Sequence, residues 1–199
     1  MLRNIFSIVI IILLSVLLAI ISANYTVKNF SGFNKRIEDI WINSPYASSK
    51  QADPYEKAYS IHNAIITLGK AEGLSFWTKT DSNRKLLQAN CDYKLTIFNL
   101  PADFFTIYAT NNQLAPLKNT NNFPYFLLSK QLVKNQDNNA IIYVSKQPYS
   151  GNWLSINSNS NYMLVINLYN TPLVTPSGVR KVKMPKIEKL SCNINKGKQ

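Results

Sequence analysis

One histidine, His62, and two cysteines, Cys91 and Cys192, are all that 199 residues hold of the imidazole and thiol groups that metal sites and nucleophilic triads need. A metal centre built on histidine clusters is thereby excluded, and a Ser-His-Asp triad would have to use His62. That residue falls on the apolar spacing of a helix and no Gly-x-Ser-x-Gly elbow occurs, so it reads as a packing or surface-edge side chain. Acidic residues are scarce as well, ten against 22 Lys and Arg. Those of the body, Asp53, Glu56, Glu72, Asp81, Asp92, Asp103, Asp137 and Glu188, show no acid/base spacing. With only six glycines there is no phosphate-cradling loop. Ser82-Asn83-Arg84-Lys85 contains a formal Ser-Lys pair, but Thr80-Asp81-Ser82-Asn83 is turn chemistry. No cofactor and no metal is expected, and the balance is against an enzyme.

What the chain does have is an apolar run. From Ile5 to Ala23 the only polar side chains are Ser7, Ser15 and Ser22. At 1.5 Å per residue these positions reach about 29 Å, the thickness of a hydrocarbon core. A cleaved secretory signal competes with an anchor. The run is longer than the usual signal core, however, and Ile21 stands where a cleavage site wants a small residue, so an uncleaved single-pass anchor is favoured. The expected partition is a flank at 1–4, an anchor at 5–23, a juxtamembrane linker at 24–50, a domain at 51–192 and a basic tail at 193–199.

Charge does not orient the anchor, because Arg3 precedes it and Lys28, Lys35 and Arg36 follow it. The cysteines do. Both lie in the body, and neither belongs to a metal-binding spacing, so a Cys91–Cys192 disulfide in an oxidising compartment is the favoured reading, with two buried thiols as the alternative. The anchor then holds the body on the periplasmic side of the inner membrane, with the bilayer as its first partner. Net charge is +12, and seven Lys and Arg between Arg180 and Gln199 face one Glu188. This stretch reads as a solvated tail, with contact to anionic headgroups the alternative. Nucleic acid is disfavoured, since no recognition motif accompanies the charge.

Asp53 as N-cap, Pro54 at the first turn, Glu56 three residues after the cap and Gly69 as a stop predict a helix, with Tyr55, Ala58, Tyr59, His62, Ile65 and Ile66 on its apolar face. After Gly73 the period becomes two. Segments 74–78, 93–98, 104–109, 125–129, 140–145 and 162–169 are short, aromatic and β-branched, with turn residues between them, and predict a mainly β sandwich or partly closed barrel. Of the many aromatics (Phe104, Phe105, Tyr108, Phe123, Tyr125, Phe126, Tyr143, Tyr149, Trp153) most are expected in the core, and a minority to line a cleft for a small amphipathic ligand. Gly151-Asn152 predicts a tight turn that delivers Trp153 as an apolar plug.

The order of these motifs is similar to that of the bacterial domain-of-unknown-function family 1214. It is carried by Asp53-Pro54-Tyr55, Asp81 with Leu86, Cys91-Asp92-Tyr93, Pro101-Ala102, Tyr108, Gly151-Asn152-Trp153-Leu154, Leu168-Tyr169-Asn170-Thr171-Pro172 and Pro185-Lys186-Ile187 with Cys192. Gly-Asn-Trp-Leu followed by Leu-Tyr-x-x-Pro is the specific part. The resemblance implies a jelly-roll-like sandwich in an envelope-associated protein, one sometimes fused behind a second uncharacterised domain, family 1254; such a partner would act here in trans. Relatives carry a Trp near the Pro-Ala pair and an Arg before Leu-Tyr, where this chain has Phe104-Phe105 and Asn167. No catalytic residue is carried over, and the expected role is a cell-envelope binding or interaction module, with a small amphipathic-ligand-binding protein or a hydrolase with an unrecognised site as the alternatives.

Overall fold

The computed structural model describes residues 2–30, 33, 35–46, 49–62, 68–69, 72–119, 122–175 and 178–192. Helix α1 (Leu2–Asn29) takes up the apolar run and continues six residues past Ala23. Its apolar window is left unburied by the rest of the chain, and several of its polar side chains bond to its own backbone: the Ser15 hydroxyl donates to the Ile12 carbonyl (2.8 Å) and the Thr26 hydroxyl to that of Ser22 (2.9 Å). Side chains that return their hydrogen bonds to the helix backbone suit a hydrocarbon environment, and α1 is long and apolar enough to cross a membrane.

The body then runs β1 (Arg36–Glu38), β2 (Trp41–Asn43), α2 (Pro54–His62), β3 (Gly73–Thr78), β4 (Cys91–Ile97), β5 (Phe104–Thr110), β6 (Phe126–Leu128), a 3-10 turn (Ser129–Gln131), β7 (Ala140–Ser145), β8 (Asn152–Ser155), β9 (Met163–Tyr169), β10 (Val174–Thr175), β11 (Gly178–Val179) and β12 (Lys186–Cys192). One sheet has the order β1-β2-β3-β9-β5-β6 and the other β12-β4-β7-β8; β10 and β11 form a separate ribbon. The chain changes sheet between β3 and β4, β4 and β5, β6 and β7, and β8 and β9, the jelly-roll habit that the strand pattern and the resemblance imply.

Period-two alternation explains the core. Tyr93, Leu95 and Ile97 of β4, Phe105 and Ile107 of β5, Ile142 and Val144 of β7, and Leu164, Ile166 and Leu168 of β9 point inward into one hydrophobic cluster between the sheets. Strand β9 lies between β3 and β5, and its outward Met163 and Val165 are buried too. A strand covered on both faces therefore reads as the continuous apolar run Met163-Leu164-Val165-Ile166 rather than as an alternation. Gly73 marks a close approach: a Cβ added there would lie 1.9 Å from the Leu168 carbonyl oxygen, a backbone atom that cannot swing aside. Gly73→Ala is expected to force β3 away from β9 and to cost about 1–3 kcal/mol in urea denaturation, the usual range for overpacking.

All six segments predicted as strands form strands. The stretch read as a linker, 24–50, is instead partly structured, since it completes α1 and supplies β1 and β2, with Trp41 fully buried. A three-residue strand is too short to display a period, so Trp41-Ile42-Asn43 carries no strand signal of its own. The basic stretch after Arg180 is likewise no free tail as far as Cys192. Strand β12 pairs along β4 from Lys186↔Thr96 to Cys192↔Cys91, with Ile187 buried and Glu188 3.8 Å from Lys94. Residues 193–199 lie outside the described residues.

Candidate functional site

The residues singled out in the sequence hold the frame together and do not converge on one place. Asp53 caps α2: its Oδ1 accepts the Glu56 N–H at 2.9 Å, and its Oδ2 accepts the Phe33 N–H at 3.0 Å. Burial alone would raise the Asp53 carboxyl, but the backbone N–H groups of Glu56, Phe33 and Tyr55 outweigh it and bring it below the ordinary value. Pro54 opens the helix, and Tyr55 stays exposed beside Phe30 and Phe33. The inward stripe of α2 is rotated from the one predicted, centred on Glu56 with Tyr59 half-buried, while Tyr55 faces out. Ile65 and Ile66 lie outside the described residues. Pro101 accepts the Thr171 hydroxyl, one residue before the exposed Pro172, while Leu168 is core and Tyr169 stacks on Phe104 at 4.4 Å. The buried Pro185 accepts the indole N–H of Trp41 at 2.8 Å. Cys91 and Cys192, opposite each other on β4 and β12, form a disulfide.

The Gly-Asn-Trp-Leu stretch solves a topological problem. Strands β7 and β8 pair in parallel although residues 146–151 are all that join them, far short of the usual crossover. Gly151 takes a φ of 89° with open space around it. Asn152 then pins the return, its Nδ2 donating to the Val133 and Ile141 carbonyls (2.8 and 2.9 Å) and its Oδ1 accepting from the Val133 N–H (2.8 Å). The Trp153 indole donates to the Ser145 hydroxyl at 3.0 Å and packs edge-on against Phe123, half-buried, while the fully buried plug is Leu154. The 80–85 stretch is a turn: Asp81 Oδ1 accepts the Asn83 and Lys85 N–H groups, and Ser82 pairs with Ile187 of β12.

A cleft of about 380 Å³ opens elsewhere, on the outer face of the six-stranded sheet, between α2, β2, β3 and the start of β9. Its walls are Ile42, Tyr59, Trp77, Leu86, Leu114 and Met163, with Tyr162 beneath and Lys35 and Lys79 at the rim. The Lys35 ammonium lies 5.8 Å from the centre of the Trp77 ring. Crowding by the surrounding protein holds Lys35 below the ordinary lysine value and the Lys79 charge adds to this, while the Glu56 carboxylate works the other way. Lys35 thus lies over an aromatic wall, with the Glu56 carboxylate and the Lys79 ammonium acting on its charge in opposite directions.

The cleft also stores backbone strain. Leu114 sits at a φ of 62°, a region in which a branched, non-glycine residue is costly. Asn111 holds it there: its Oδ1 accepts the Gln113 and Ala115 N–H groups and its own N–H donates to the Ala115 carbonyl. None of the nine aromatics singled out in the sequence lines this cleft. Its aromatics are Tyr59 of α2, the outward Trp77 of β3 and the buried Tyr162 before β9, and a lysine before β1 has no sequence mark that ties it to Trp77. A smaller cavity of about 170 Å³ lies by Phe98, Asp103, Phe105 and Lys130.

No curated protein matches the chain. Among solved structures it resembles the VPA0106 protein of Vibrio parahaemolyticus, with 14% identity and a TM-score of 0.56 over 71% of this chain and 36% of that one. An uncharacterised protein of Burkholderia cenocepacia follows at 15% identity and a TM-score of 0.45, over 83% and 39%. The chain thus spans well under half the length of these two proteins. The family described as "Protein of unknown function (DUF1214)" matches residues 72–173, from the edge of β3 through the parallel return to Leu173. That stretch carries Pro101, the Gly-Asn-Trp-Leu return and Leu168-Tyr169, it spans just over half of the 199 residues, and the chain belongs to the DUF1214 family.

Proposed function

We propose that this chain is a single-pass protein of the inner membrane whose sandwich lies in the periplasm and works as a binding module, with the Lys35–Lys79 cleft taking a small amphipathic anion. The observation that carries this reading is the Lys35 ammonium over the Trp77 ring, with Lys79 lining the same cleft. Apolar walls of Ile42, Leu86, Leu114 and Met163 would take a hydrocarbon part, and the two ammoniums at the rim a carboxylate or phosphate. Placement outside the cytoplasm is supported by α1 and by the disulfide, a bond that persists in oxidising compartments.

The test is a titration of the full chain, held in nanodiscs of zwitterionic lipid, with octanoate and octyl phosphate, followed by Trp77 emission against a Trp77→Phe control. Saturable binding is expected, with neutral octyl glucoside inert. A hydrogen bond to a charged group contributes about 1.5–3 kcal/mol, so Lys35→Ala and Lys79→Ala should each weaken binding about tenfold or more. Equal affinity in the Lys35→Ala/Lys79→Ala double variant would remove the reading.

A further inference from the structure

We infer that Phe30, Phe33 and Tyr55 form an interfacial seat that holds the sandwich down on the bilayer surface at the end of α1. The inference goes beyond ligand binding and rests only on the reading of α1 as a membrane span.

The three rings form one cluster, with centroids 4.7 Å apart for Phe30 and Phe33, 5.5 Å for Phe30 and Tyr55, and 6.2 Å for Phe33 and Tyr55, all edge to face. A cluster of this kind ordinarily closes a core, yet Phe33 is 75% exposed and Tyr55 46% exposed, and Tyr25 and Ile37 are each 70% exposed. Apolar surface left open beside charge calls for a partner that is apolar and polar within a few ångströms. Its position names that partner. The apolar span ends at Ala23, and Asn24 to Phe30 carries the chain about 10 Å further along the helix axis, into and just past the headgroup layer. Side chains on a helix lean toward its N-terminus, here toward the hydrocarbon, and aromatic residues collect at that level. Lys28, Arg36 and Lys57, each within three residues of a ring of the cluster in sequence, are exposed, and cations at that level meet lipid phosphates.

The seat is braced as a loose stalk would not be. The Phe30 N–H continues the helix to the Thr26 carbonyl at 2.8 Å, and the Phe33 N–H binds the carboxylate that caps α2. The end of α1, the cap of α2 and the cluster are therefore one unit, and the headgroup boundary of the bilayer that α1 crosses is its occupant.

Spin labels placed in the full chain test this, because Cys91 and Cys192 are bonded to each other and leave an added cysteine as the thiol to be labelled. Labels at Phe33→Cys, Leu13→Cys and Val133→Cys are compared in vesicles of phosphatidylcholine with phosphatidylglycerol, reading relaxation by oxygen against a water-soluble nickel chelate. All three side chains are exposed, so the variants keep the fold. The expected result is position 33 favouring oxygen several-fold over position 133, at a depth between positions 133 and 13. A label at 33 that behaves like the one at 133 overturns the inference. So does one shielded from both reagents with spin–spin broadening that vanishes on dilution with unlabelled chain, which would make a second copy the occupant. If position 13 itself behaves like 133, α1 is not in the bilayer, and it is the anchor reading that falls.

Discussion

Replacing both Cys91 and Cys192 with serine is expected to lower the melting temperature of the chain by roughly 10–20 °C. The bond joins residues 101 apart in sequence, and closing a loop of that length removes about 4.7 kcal/mol of chain entropy from the unfolded state. For a body of this size each kcal/mol moves the midpoint by about 2–4 °C. The position of the bond makes the loss local as well as global. Strand β12 is the edge of the four-stranded sheet, with β4 its single neighbour there, and Cys192 is its last residue. Without the bond β12 keeps its ladder, the buried Ile187 and its hydrogen bonds to Ser82, so its amides should exchange faster while those of β9 do not. Thermal melts and hydrogen exchange on the two forms read both effects. A fall of under about 1 kcal/mol would mean that the reduced chain is already compact before it folds. In intact cells the same pair should resist alkylation until reduced. Two freely alkylated thiols would instead place the body on the cytoplasmic side.

What could be read from the sequence follows the length of each signal. Residues 163–169, 104–110 and 140–145 are each six or seven residues of aromatic and β-branched or other apolar side chains bounded by turn residues, and all three are strands at the places expected. Asp53-Pro54 announced its helix because a cap is a local device whose chemistry is written in adjacent residues. The helix face was misjudged because Glu56, a carboxylate, turns inward where its charge acts on Lys35, and no apolar-periodicity rule allows for that. The cleft was illegible for a different reason. Lys35, Tyr59, Trp77, Leu114 and Met163 come from five separate stretches, and the unusual backbone at Leu114 sits under a residue type that gives no hint of it. The motifs that identify the family are legible because they are local, and they turn out to serve turns, caps and the parallel return.

Trp41→Ala is expected to cost about 3–5 kcal/mol, although its residue lies in the stretch that connects the anchor to the body. The side chain is fully buried, on a three-residue strand whose next residues, Ile42 and Asn43, pair with Trp77 and Phe76 of β3. Its indole N–H donates across 144 residues to the carbonyl of Pro185, directly before β12. One side chain thus fastens the segment leading from α1 to the segment leading into the last strand. Trp41→Phe separates the two contributions, since it keeps most of the buried ring and leaves the Pro185 carbonyl without its donor. That change should cost about 1–3 kcal/mol, the penalty for stranding a buried acceptor. Urea denaturation of the two variants checks both numbers. If alanine at position 41 cost under about 1 kcal/mol, β1 and β2 would be peripheral, and the body would hang on a slack tether after all. If the expected loss is found, the residues that follow α1 are part of the core, fastened through Trp41 to the segment that leads into β12.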